Sequence, residues 1–142
     1  MIRIRLLQKA KSPRLGLVKV RALVRRILAL QAIPHAELGI VFVNDSQMMA
    51  LHGEFMADPT PTDIMTFPLG PELAELVISL EMGARQAREF GNTLDAELAL
   101  YIIHGVLHLA GYDDHKPRDI RAMRAREAEL LQALGKIPRL RG

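Results

Sequence analysis

Ile2, Ile4 and Leu6 alternate with Arg3 and Arg5, the period-two pattern of a strand with one buried and one wet face. Between Leu17 and Gln31 the apolar residues Val20, Leu23, Val24, Ile27, Leu28 and Leu30 recur at helical spacing. Lys19, Arg21, Arg25 and Arg26 fall largely on the other side, which reads as a solvated basic face in preference to a phosphate-binding one. Ala32-Ile33-Pro34 ends that helix, and the β-rich, mostly apolar stretch Glu37 to Val43 predicts an interior strand. Asn44-Asp45-Ser46 supplies the N-cap of a short helix through about Phe55, and two prolines hold the following loop, Ala57 to Thr62, extended. Asp63 to Phe67 is a strand closed by Pro68, and Leu73 to Leu80 is another after a Gly70-Pro71 turn. Helices over Glu81 to Phe90 and Leu94 to Ala110 meet at Gly91-Asn92, and a charged helix over about Arg118 to Leu134 follows Pro117. Residues 136–142 read as a loose basic tail. This order predicts an α+β fold, a small mixed sheet of about four strands packed with about five helices.

Composition narrows the class. A chain of 142 residues, 49% hydrophobic and 25% charged, is expected to be one soluble domain spanning 1–142. No apolar run is long enough to cross a bilayer, and Met1 leads into a strand pattern and not a signal peptide, so the expected location is the cytoplasm and no membrane is an expected partner. The absence of cysteine excludes disulfides, a catalytic thiol and thiolate-rich zinc sites, so any metal must be held by imidazole and carboxylate. A net charge of +3 is a modest lean toward polyanions.

The candidate chemistry lies between His104 and His115. His104 and His108 are one helical turn apart, so their rings share one face of the central helix and can converge on one ion. Gly111 then turns the chain, and the turn can return Asp113, Asp114 or His115 toward that face as a third ligand. Two histidines alone would equally suit a hydrogen-bonded core pair; the turn and the ligand-type cluster behind it favour the metal.

The stretch His104-Gly-Val-Leu-His108-Leu-Ala-Gly111-Tyr112-Asp113 resembles the signature of the YbeY-type family of metal-dependent endoribonucleases, the rRNA maturation factors of bacteria. Pro61-Thr62-Asp63-Ile-Met-Thr-Phe67-Pro68 is similar to its second signature block, and the likeness extends to Leu73–Ile78 and to the region of Met123 and Glu127. It covers the chain from about Val41 onward; before that it is architectural only. The family pattern has a third histidine at the position of Asp114. The ungapped spacing to Pro117, Asp119 and Met123 favours Asp114 as the third ligand, with His115 as the alternative. The family also carries an arginine where this chain has Met56, a position suited to clamping a phosphate, which Arg85, Arg88, Lys116 or another cation would have to replace.

The resemblance implies a single-strand endoribonuclease acting in ribosomal RNA maturation and ribosome quality control. It implies one divalent ion, zinc foremost, and ribosomal RNA and a ribosomal subunit as partners. Asp63 and Asp113 are candidates for orienting a ligand histidine or the attacking water, and equally for capping turns. Tyr112 suits base stacking or packing. Two competing readings are an RNA-binding ribosome-assembly module with a structural metal, and a zinc peptidase. The second lacks the glutamate of His-Glu-x-x-His, because Gly105 stands there; that glycine either opens room beside the ion or permits close helix packing.

Overall fold

The computed structural model describes the backbone of residues 1–56 and 63–142 and the side chains of 1–51 and 63–142. The predicted loop Ala57 to Thr62 and the side chain of Met56 lie outside the described residues. The chain runs β1 (Arg3–Gln8), α1 (Leu17–Leu30), β2 (Glu37–Val43), α2 (Asp45–Met56), β3 (Ile64–Pro68), β4 (Leu73–Ser79), α3 (Leu80–Phe90), α4 (Leu94–Leu109) and α5 (Pro117–Leu134). The sheet has the order β1-β2-β4-β3, with the first three strands parallel and β3 antiparallel to β4. This is the expected α+β arrangement of four strands and five helices.

Strand alternation sorts the side chains into two layers. Leu38, Ile40 and Phe42 of β2 and Ala74, Leu76 and Ile78 of β4 join the buried residues of α1, α4 and α5 in the main core. Val43, Met65 and Val77 point to the opposite face, where Met48 of α2 covers them. Asn44 caps α2 as predicted, its Oδ1 accepting from the Gln47 amide at 2.8 Å. Thr93 caps α4 by accepting from the Ala96 amide at 3.0 Å. Central α4 is buried along most of its length, because beyond the acidic first turn of Asp95 and Glu97 its sequence is apolar except at Tyr101 and the two histidines.

The basic side of α1 is more than a solvated face. Arg21 and Arg25, one turn apart, donate to the carbonyls of Ile4 and Ile2. They occupy one outward carbonyl of the edge strand β1 and one just before it, one way an edge is protected from pairing with another chain. Arg26 donates to the Leu134 carbonyl at 2.7 Å and so holds the end of α5.

The expectation of a loose segment after residue 135 is corrected. Leu140 is fully buried, its amide donates to Asp95 Oδ1 and its carbonyl accepts from Gly16 N. Gly142 N donates to the Arg14 carbonyl, and Leu15 and Arg141 form an isolated bridge. Composition alone suggested mobility; one apolar anchor held by two backbone–backbone hydrogen bonds and a third to Asp95 outweighs it.

Candidate metal centre

His104 and His108 sit on the last two turns of α4, on its only polar stripe. Their Nε2 atoms face each other at 3.1 Å, with the rings nearly perpendicular. Gly111, at φ +106°, takes the chain off the helix, and the Tyr112 amide closes the turn on the Leu107 carbonyl at 2.9 Å. That turn returns Asp114, whose Oδ2 lies 3.4 Å from His108 Nε2 and 3.7 Å from His104 Nε2. Three donors around one tetrahedral ion, each about 2.0–2.1 Å from it, would be spaced about 3.3 Å apart. The observed triangle has that size, so these residues fit a small divalent ion.

His115 does not join this triangle. Its ring is largely exposed and pairs with Asp113 Oδ1 at 3.4 Å, although it lines the cavity along β3 with His108 and Asp114. Asp113 Oδ1 also accepts from the Asp114 amide at 2.7 Å, which fixes the turn. Asp63 lies in both cavities that flank the triangle, and its Oδ1 accepts from the Ile64 amide at 2.8 Å. Among the described residues, neither Asp63 nor Asp113 hydrogen-bonds to His104 or His108. Tyr112 packs against the main core and lines a separate depression with Asp119 and Ala122.

The carboxylate that orients the His104 ring is Glu127, on α5. Its Oε2 is 2.8 Å from His104 Nδ1, so the proton sits on Nδ1 and the Nε2 lone pair points into the triangle. This hydrogen bond raises the His104 pKa above its ordinary value; desolvation opposes the rise, and the charges of Glu127, Asp114 and Asp63 add to it. Glu127 was not assigned this role from sequence. The available signal was the stripe Ile120, Met123, Arg124 and Glu127, which recurs at helical spacing and faces the cavity.

That cavity, about 520 Å³, runs from His104 and Asp114 past Tyr101 to Asn92 and Phe90. A second, about 650 Å³, follows β3 from Ile64 to Pro68 beneath His108 and reaches His35. Burial pushes the Tyr101 phenol pKa up, with help from Asp63 and Glu97, so it stays protonated and donates to Gln86. The cation lining the first cavity is Arg124. Of the cations considered as stand-ins at Met56, Arg85 is committed to a two-point pair with Asp45, and Arg88 and Lys116 line neither cavity.

Gly105 faces the sheet and not the His104–His108–Asp114 triangle. A Cβ there would meet Leu76 Cδ2 at 2.7 Å, Leu76 Cδ1 at 2.8 Å and Ile64 Cδ1 at 3.0 Å. Of its two sequence readings, close helix packing is the one the geometry bears out, and a glutamate at this position would be driven into the core.

Three comparisons place the chain among known proteins. A family model described as Endoribonuclease YbeY matches residues 7–135, so the likeness begins well before Val41 and includes the N-terminal third. A relative from Anaeromyxobacter dehalogenans named Endoribonuclease YbeY is 40% identical over 84% of this chain and 65% of its own length. A second of that name, from Anaeromyxobacter sp., is 43% identical over 72% and 56%, and a third, from Carboxydothermus hydrogenoformans, 38% over 69% and 72%. The matched region therefore spans less than two thirds of the first two relatives. The solution structure of a Thermotoga maritima protein superposes with a TM-score of 0.62 at 26% identity, covering 92% of this chain and 91% of that one.

Proposed function

This chain belongs to the Endoribonuclease YbeY family, and from that premise we propose that it is a metal-dependent endoribonuclease acting on single-stranded ribosomal RNA during ribosome maturation and quality control. The observation that carries the reading is the triangle of His104 Nε2, His108 Nε2 and Asp114 Oδ2, backed by Glu127 and open to two cavities. Zinc is the favoured ion, since two imidazoles and a carboxylate suit it and no thiolate exists to select a softer metal. Ribosomal RNA is the substrate, a ribosomal subunit is the partner, and the cytoplasm is the location. No helix among the described residues is long and apolar enough to cross a membrane, which agrees with that placement.

When bound, a divalent ion with three protein ligands keeps an open coordination position, lowers the pKa of water there and offsets charge on the phosphoryl oxygens. Everything else falls to the chain. Glu127 holds the Nδ1 proton of His104 and keeps its Nε2 lone pair directed inward. Asp63, beside His104 in both cavities, takes the proton of the attacking water. Arg124 meets the scissile phosphate from the α5 side. Tyr101, protonated and bonded to Gln86, lines the cavity through which the RNA strand passes.

Asp114 in place of an imidazole adds one negative charge to the site, so water on an ion held there would be less acidic than at an all-histidine centre. A purely structural metal would take four protein ligands in a closed shell. The described residues offer three around this point, at the junction of two open cavities, which supports the catalytic reading over the assembly module. Cleavage of a single-stranded RNA by the intact protein and by His108→Ala, with metal content measured on both, tests it. The variant should lose metal and cleavage together. If it folds, loses metal and still cuts RNA at the parent's rate, the metal reading is wrong.

A further inference from the structure

Residues 1–36 hold nine lysines and arginines and no acid, and residues 130–142 hold three more and again no acid. Residues 37–129 carry the remaining seven cations and all sixteen acids. The modest net charge thus conceals two oppositely charged parts, formally +12 and −9. The fold gathers five of the first part's twelve cations into one surface, while Arg3 and Arg5 pair with Glu37 and Arg21, Arg25 and Arg26 are bonded to backbone carbonyls elsewhere. Lys9, Lys11 and Arg14 line a single depression of about 610 Å³ at the end of β1. The segment ending in Arg141 is fastened beside them through the Leu15–Arg141 bridge and the Gly142 N to Arg14 O hydrogen bond, and Lys19 Nζ reaches the Arg141 carbonyl at 3.5 Å.

This surface is built and not a flexible run of charge. Gln8 donates to the carbonyls of Ala10 and Pro13 and accepts from the Leu15 amide, closing the loop that carries Lys9, Lys11 and Arg14. All five side chains are exposed, and among the described residues none is paired with a carboxylate. The acid that meets this segment, Asp95, accepts from the Leu140 amide.

The metal centre has the opposite character. Its two cavities are lined by Asp63, Glu97, Asp114 and Glu127, against the single guanidinium of Arg124. A polyanion gains little there before an ion is bound. It abuts β3, while the basic surface lies at the far edge of the sheet beyond β1, three strand spacings or about 14 Å away.

We infer that the surface of Lys9, Lys11, Arg14, Lys19 and Arg141 is a docking site for the RNA phosphate backbone, separate from the metal centre, which holds the strand while another part of it enters the acidic cavities. This rests on the proposed substrate class. Contacts of this kind supply affinity without reading sequence, and each releases counterions.

Anisotropy of a fluorescein-labelled single-stranded oligoribonucleotide, titrated in chelator over a potassium chloride series, tests it. The parent and His108→Ala should bind alike. K9Q/K11Q/R14Q, whose folding is checked by circular dichroism and metal content, should bind on the order of tenfold weaker or worse, with the log–log salt slope reduced by about 2. R118Q/R121Q, which removes two exposed cations elsewhere, should leave both unchanged. The inference is overturned if the triple variant keeps the parent's affinity and slope, if R118Q/R121Q weakens binding as much, or if the parent binds no RNA. Tighter binding of the parent to phosphatidylserine vesicles than to RNA, lost in the triple variant, overturns it in favour of a membrane. RNA bound through this surface but never cut upholds the inference and sinks the proposed function; RNA cut normally with binding unmoved in the triple variant does the reverse.

Discussion

Replacing Glu127 with glutamine tests the centre without touching a ligand. The change keeps size and shape, but the charge-assisted bond to His104 Nδ1 at 2.8 Å becomes a neutral one, and an amide can present a donor where an acceptor is needed. Both partners are mostly sheltered, with side chains 13% and 29% exposed, so solvent screens the interaction only in part. Loss of such an outer carboxylate typically lowers metal affinity about 10- to 100-fold, or about 1.4–2.7 kcal/mol. The pH dependence gives a second readout. Glu127 is the main cause of the raised His104 pKa, and a proton on Nε2 competes with the ion. As pH falls through that raised value, parent affinity drops first; the variant, with its imidazole nearer the ordinary 6.5, drops later. The deficit should be largest in mildly alkaline buffer and shrink as the solution is acidified. Zinc affinity measured by competition with a chromophoric chelator at several pH values decides it. Equal affinities above pH 8, or a deficit that widens toward acid, would refute the assigned role of Glu127.

Gly105→Ala should destabilise the fold although alanine is the better helix former by about 1 kcal/mol. The new methyl meets fully buried Leu76 at 2.7 Å, and overpacking of about 1–3 kcal/mol less that gain should leave a net loss of up to about 2 kcal/mol and a Tm lower by up to about 6 °C; a higher Tm in calorimetry would contradict the packing. Asp114→Ala should reduce zinc content in the purified protein while His115→Ala leaves it unchanged, and the reverse pattern would exchange their roles. Asp45→Asn removes the two-point pair with Arg85, a partly exposed interaction worth under about 1 kcal/mol. Because Arg85 holds the folded Asp45 pKa below 3.8, its contribution is present above that value and disappears as pH falls through the depressed one; denaturant midpoints of parent and variant should differ at neutral pH and converge in strong acid.

The pattern of apolar positions determined the order, type and approximate ends of the described elements, because periods of 2 and 3.6 are local properties of the backbone. The spacing of His104 and His108 is of the same kind: one helical turn allows two rings to meet only on a shared face. The glycine turn and the acidic cluster were legible too, but the choice between Asp114 and His115 depends on which side chain the turn brings to the two histidines, and the distances favour Asp114. Glu127 stands 23 residues from its partner, and only the packing of α5 on α4 brings the two to 2.8 Å. Arg124 enters the same cavity by the same packing. The ordering of residues 136–142 and the gathering of Lys9, Lys11 and Arg14 beside Arg141 likewise came from contacts between the two ends of the described chain. Local periodicity cannot encode such contacts, because their free energy is gained only once distant segments are buried together.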